Sequence, residues 1–105
     1  MFTDLNYINF YSFLKNDLVL VEFWAEWCHA CQSFDPLMQD ISKKFKGKLK
    51  MAKVNISDNR TIADQQKVKN IPSIILYLKG KEMIRFSDIP SKQTMINTIE
   101  KHLTI

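Results

Sequence analysis

Among 105 residues there are only two cysteines, two glycines and three prolines. So little Gly and Pro leaves no room for a flexible linker or a low-complexity tail. Two cysteines are too few for the disulfide framework of a small secreted protein. Nor can they complete a four-thiolate zinc site. No stretch approaches the ~20 apolar residues needed to cross a bilayer. The opening segment, Met1-Phe2-Thr3-Asp4-Leu5-Asn6, lacks the basic region and apolar run of a secretory leader. The expectation is one domain over residues 1–105, in the cytoplasm, with no membrane association.

What is present reads as ordinary globular protein: 46% hydrophobic and 25% charged residues. The formal net charge of +4 raises the question of nucleic acid. The basic residues cluster only at Lys43, Lys44, Lys46, Lys48 and Lys50, where a helix is expected to end. Cations suit a helix C-terminus, and no aromatics interleave with them as a base-stacking surface requires. A solvated charge run is the expected role, with no nucleic-acid partner.

Hydrophobic spacing divides the chain into elements. Apolar residues at Tyr7, Ile8, Phe10, Tyr11 and Leu14 predict a helix over Tyr7–Asn16. Leu18–Trp24 is an apolar run broken once, by Glu22, and predicts a central strand buried on both faces. A helical pattern follows from about Cys31 through Phe34, Leu37, Met38, Ile41 and Phe45, ended by Gly47. Leu49–Ile56 alternates as a strand, and Asn59–Val68 is a weaker helix. Ser73–Leu78 and Glu82–Phe86 predict a hairpin around Lys79-Gly80-Lys81. A last helix carries Met95, Ile96, Ile99 and Leu103 on one face, with Ser91 as its N-cap. Strands joined through helices imply right-handed parallel crossovers. The fold class expected is α/β, a mixed sheet with helices on both faces. Phe2–Asp4 is a candidate extra strand.

Cys28 and Cys31 fall where the buried strand gives way to a helix. A helix N-terminus carries partial positive charge and unpaired N–H groups. Both favour the thiolate, the species that attacks a disulfide. Residues three apart on a helical turn lie close enough for a slightly tightened turn to close a disulfide. Cys28, at the helix mouth, is the expected exposed nucleophile. Cys31, one turn inside, is the expected resolving thiol. An inert buried pair, or half of a metal site shared by two chains, fits this placement less well. His29 and His102 are far apart in sequence, and no metal site is expected. Glu22 is the one charge in the apolar strand. Burial there would disfavour its carboxylate and raise its pKa.

Phe23-Trp24-Ala25-Glu26-Trp27-Cys28-x-x-Cys31 resembles the thioredoxin active-site segment almost letter for letter. The likeness extends through Pro36, Ala52-Lys53-Val54-Asn55, Asn70-Ile71-Pro72-Ser73 and Lys79-Gly80-Lys81. It implies a five-stranded mixed sheet with four helices, and reduction or exchange of disulfides in protein substrates. It also implies a Cys28–Cys31 redox disulfide in place of any cofactor, a monomer, and recycling by a thioredoxin reductase. By the same resemblance Glu22 stands where the family has a buried acid that assists proton transfer to the resolving cysteine. Lys53 matches the lysine beside that acid. Trp27 would cover the thiols and touch substrates. Pro72 would be cis, and Ile71 would pair through its backbone with an extended substrate, with Ser73 beside it.

The sequence departs from the family in two places. Between the cysteines stand His29-Ala30 where thioredoxins usually have Gly-Pro. A protonated His29 beside Cys28 would favour the thiolate, stabilise the reduced form and make the disulfide more oxidising. Ser87-Asp88 replaces a Gly and a small residue near the substrate groove. These departures leave room for a second reading, a thioredoxin-fold adaptor whose cysteines turn over little.

Overall fold

The apolar run Leu18–Trp24 is strand β2, with every residue buried except the half-buried Trp24. In the computed structural model, which describes residues 2–103, β2 is the middle of a five-stranded sheet. Met1 and residues 104–105 of the expected domain lie outside the described residues. The sheet order is β1-β3-β2-β4-β5. Here β1 is Phe2–Asp4, β3 Lys50–Asn55, β4 Ser73–Leu78 and β5 Lys81–Phe86. β1, β3 and β2 run parallel, and β4 and β5 are antiparallel. Four helices complete the fold: α1 (Phe10–Phe13), α2 (His29–Lys44), α3 (Arg60–Gln65) and α4 (Lys92–Leu103). This is the mixed α/β sheet that the sequence implies, with Phe2–Asp4 as its short edge strand.

Strand alternation sends successive side chains to opposite faces. Val19, Val21 and Phe23 enter one core with Phe10, Leu14, Ile62, Ile75 and Tyr77. Leu18 and Leu20 enter the other with Phe34, Met38 and Ile41 of α2 and Met95 and Ile99 of α4. The same alternation puts Glu22 on the α2 face. Lys53 shares that face with Met51, and the register pairs Glu22 with Lys53 on one side and with Ile74 on the other.

The first helix is shorter than its apolar spacing predicts. Asn6 Oδ1 accepts from the N–H of Ile8 (2.8 Å), and Asn9 Oδ1 accepts from the N–H of Asn6 (2.7 Å). These side chains offer the backbone an alternative to the helical ladder. Tyr7 and Ile8 are left about three-quarters exposed, at 75% and 76%. α3 also ends early, at Gln65. Lys79 and Gly80 both have positive φ, 51° and 87°, the backbone of a two-residue hairpin turn. Lys81 is therefore the first residue of β5, not part of the turn. Ser91 caps α4 as expected, its Oγ accepting from the Thr94 N–H at 3.1 Å. The lysines of the basic run are all exposed, and Lys43 and Lys44 lie in the last turn of α2.

Candidate active site

β2 runs into the segment Ala25–Cys28, where the Cys28 N–H donates to the Ala25 carbonyl at 3.1 Å. α2 begins at His29, two residues before the apolar spacing first shows it. Cys28 is thereby its N-cap, with extended backbone (φ −94°, ψ 102°). Its Sγ accepts the Cys31 N–H at 3.1 Å. An N-cap side chain normally supplies an oxygen to an orphan N–H of the first turn. Here a sulfur takes that place, so the donor that a thiolate would need is already aimed at it. Cys28 and Cys31 form a disulfide, with Cα atoms 5.3 Å apart. In this form Cys28 is not the exposed sulfur that the sequence predicts. Its relative exposure is 6%, against 3% for Cys31. Bonded to Cys31 and tucked against the first turn, Cys28 gives up most of its surface. The flanking residues do the presenting: His29 and Ala30 are exposed, and Trp27 is 66% exposed.

Beneath α2, Glu22 is fully buried. Neither carboxyl oxygen has a hydrogen-bond partner among the described residues. The Lys53 ammonium lies 4.0 Å away, close enough to attract and too far to donate. Burial dominates, and pushes the Glu22 carboxyl up to about 7, against the opposing pull of Lys53 and with help from Asp35. Asp35 stands four residues after Cys31, so both occupy one face of α2. That shared face places Cys31 and the buried acid on the same side of the sheet.

β4 runs antiparallel to β2, so its start lies at the same pole as the end of β2. The Ile71–Pro72 peptide bond just before it is cis. Ser73 is buried, and its hydroxyl donates to the Asn70 carbonyl at 2.5 Å. That bond braces the loop, and β4 register sets Ser73 opposite Phe23. Asn70 Nδ2 donates to the Ser87 carbonyl at 3.0 Å, which ties the proline loop to Ser87-Asp88. A groove of about 430 Å³ runs between Trp27 and Ile71, floored by Ile56, Ala63 and Val68. A larger cavity of about 670 Å³, lined by residues such as Asp17, Phe45 and Leu103, is at the other pole and touches none of these residues.

Two features escape motif reading. Asp35 accepts from Lys53 Nζ at 3.3 Å. Only its four-residue spacing from Cys31 signals it in the sequence. Asn55 Nδ2 donates to Glu26 Oε1 at 2.7 Å, which holds that exposed carboxyl below its usual range. This bond links the end of β3 to the segment before the cysteines. Nothing in the spacing of Glu26 and Asn55 announces it, because the two meet only through the β2–β3 register. Among the described residues no group of three or more His, Cys, Asp or Glu side chains could hold a metal ion.

Known proteins bear on this arrangement. The thioredoxin family model matches residues 2–101. A thioredoxin from Rickettsia felis is 37% identical over 91 residues, covering 86% of this chain and 87% of its own. A thioredoxin from Chlamydia caviae is 37% identical over 94 residues, covering 90% of this chain and 91% of its own. A mutant thioredoxin from Halobacterium salinarum superposes with a TM-score of 0.88, covering 98% of this chain and 91% of its own, at 20% identity. That likeness speaks to fold, and the sequence relatives speak to kinship. With its CxxC disulfide at the mouth of α2, the chain belongs to the thioredoxin family of thiol–disulfide oxidoreductases.

Proposed function

We propose that this protein reduces or exchanges disulfides in protein substrates through a dithiol–disulfide cycle at Cys28 and Cys31. One observation carries the reading: Cys28 Sγ sits at the N-cap of α2 and accepts the Cys31 N–H. In the reduced protein the same position favours a Cys28 thiolate. That thiolate attacks one sulfur of a substrate disulfide and expels the other as a thiolate, leaving a mixed disulfide. Cys31 then gives its proton to the Glu22 carboxylate and attacks Cys28 Sγ. The bond between Cys28 and substrate breaks, and the second substrate sulfur leaves as a thiolate. The substrate gains two electrons and the protein regains its disulfide. The two departing thiolates take up protons, one of them supplied in the balance by Glu22. A carboxyl near neutrality suits both halves of this transfer.

Trp27 and Ile71 line the groove; together with the cis Pro72 they are the proposed substrate contacts, with the Ile71 backbone pairing to an extended segment. His29 and Ala30 are the proposed tuning pair. No cofactor beyond the disulfide enters the cycle. A thioredoxin reductase is the proposed electron donor and the cytoplasm the proposed setting, since thiols there are kept reduced. The protein would act as a monomer. Among the described residues no helix is long and apolar enough to cross a membrane. Insulin reduction driven by dithiothreitol tests the cycle. Wild type is expected to accelerate precipitation of the insulin chains and Cys28→Ser to abolish that acceleration. Equal rates would overturn the proposal and favour a thioredoxin-fold adaptor.

A further inference from the structure

Lys53 is shared between two carboxyl groups, and the sharing is unequal. Its Nζ is 3.3 Å from Asp35 Oδ1, within donating distance, and 4.0 Å from Glu22 Oε1, outside it. Two rings flank the ammonium, Phe2 at 5.3 Å and Trp24 at 5.5 Å from their centroids. The buried carboxyl gains attraction from Lys53 without a hydrogen bond, and both of its oxygens stay unpartnered among the described residues.

We propose that Asp35 is a positioning residue for proton transfer at Glu22: it draws the Lys53 ammonium toward the protein surface and leaves the buried carboxyl free to take and return a proton. The reasoning rests on the cycle proposed above for the functional role, and on geometry alone for the placement of Lys53. A lysine side chain has four rotatable bonds and three N–H donors. Freed from Asp35, it would turn a donor onto Glu22, and a hydrogen-bonded carboxylate holds its charge too firmly to accept and release a proton near neutrality. The half-exposed Asp35 thus sets how much of the Lys53 charge Glu22 receives.

The groups facing Glu22 are few. β3 presents Lys53, and α2 presents Asp35. β4 pairs Ile74 with it, and α4 turns Met95 and Ile99 to this core. Asp4 of β1 is exposed and stands opposite Lys53 in register. The charges acting on Glu22 are those of Lys53 and Asp35.

The test is a carboxyl-carbon NMR titration of the oxidised protein, with the Glu22 signal identified by its loss in Glu22→Gln. Asp35→Asn is expected to lower the Glu22 midpoint by about one pH unit, and Asp35→Glu to restore it. Asp40→Asn, on the same helix as Asp35, breaks an exposed pair with Lys92 of α4 and is expected to leave the midpoint in place. In a Lys53→Met background the effect of Asp35→Asn should shrink markedly, because the cation that Asp35 positions is gone. An unmoved midpoint in Asp35→Asn would overturn the proposal. A shift of equal size in the Lys53→Met background would overturn it too, since Asp35 would then act directly and not through Lys53. The pH profile of insulin reduction should follow the NMR midpoint. A profile that stays fixed while the midpoint moves would refute the role in transfer. If every variant shifts as expected but wild type reduces no insulin, the placement of Lys53 stands and the proposed cycle fails.

Discussion

Replacing Glu22 by Gln removes the ionisation and keeps the shape, so it isolates the stability cost of a buried acid. The carboxyl titrates at 4.5 in an unstructured chain and near 7 in the fold. Between those values the native state holds a proton that the unfolded state has lost. Stability therefore falls as pH rises from about 4.5 through about 7, and the full penalty is present above that. A shift of this size corresponds to about 3 kcal/mol. Glu22 has no hydrogen-bond partner among the described residues, so neutral Gln and neutral Glu make nearly equal demands on the site. Glu22→Gln should thus match wild type near pH 5 and exceed it by about 3 kcal/mol at pH 8. For a chain of this length that is roughly 10–20 °C in Tm. Urea unfolding of the oxidised protein, followed from pH 5 to 9, reads the difference directly. The lowered carboxyl groups of Glu26 and Glu82 act the other way, contributing stability that is lost as pH falls below the usual carboxyl range. Their effect lies at lower pH and does not overlap the window. Parallel curves for wild type and Glu22→Gln, or a wild type that gains stability from pH 5 to 8, would refute the reasoning.

Two further substitutions probe the site and the scaffold. His29→Ala should make the protein more reducing by about 10–30 mV, up to a tenfold change in its equilibrium with glutathione; an unchanged equilibrium constant would remove His29 from the tuning pair. Gly80→Ala should destabilise by about 1 kcal/mol, read as a lowered denaturant midpoint. At Gly80 a Cβ would meet nothing nearer than the Leu14 carbonyl at 3.8 Å, so the cost there comes from the positive φ and not from a clash.

The central sheet was legible because its signals are local and redundant. An apolar run such as Leu18–Trp24 has few ways to be buried, and the hairpin turn carries its own glycine. The cysteine pair was legible for the same reason, its spacing and its position after a strand. What sequence spacing missed depends on contacts that spacing does not encode. Side-chain bonds from Asn6 and Asn9 shorten α1 to Phe10–Phe13 although the apolar spacing runs from Tyr7. Glu22 announces itself as the odd charge in its strand. Asp35, by contrast, looks like any polar residue of an amphipathic helix. It acquires meaning only when the β2–β3 register sets Lys53 beside Glu22 and α2 lies across both. Exposure was the least legible property. Cys28 reads as the outward sulfur, but capping its own helix draws it in.

The central place of β2 also governs how firmly the buried acid is held. Its backbone is paired on both edges, to β3 and β4, and both of its faces are covered by core. Amides in such a strand exchange with solvent deuterium only when the whole sheet opens. The backbone around Glu22 is therefore expected to be among the last of the fold to exchange. The strand that makes the scaffold rigid thus also fixes the depth at which its one carboxyl group sits.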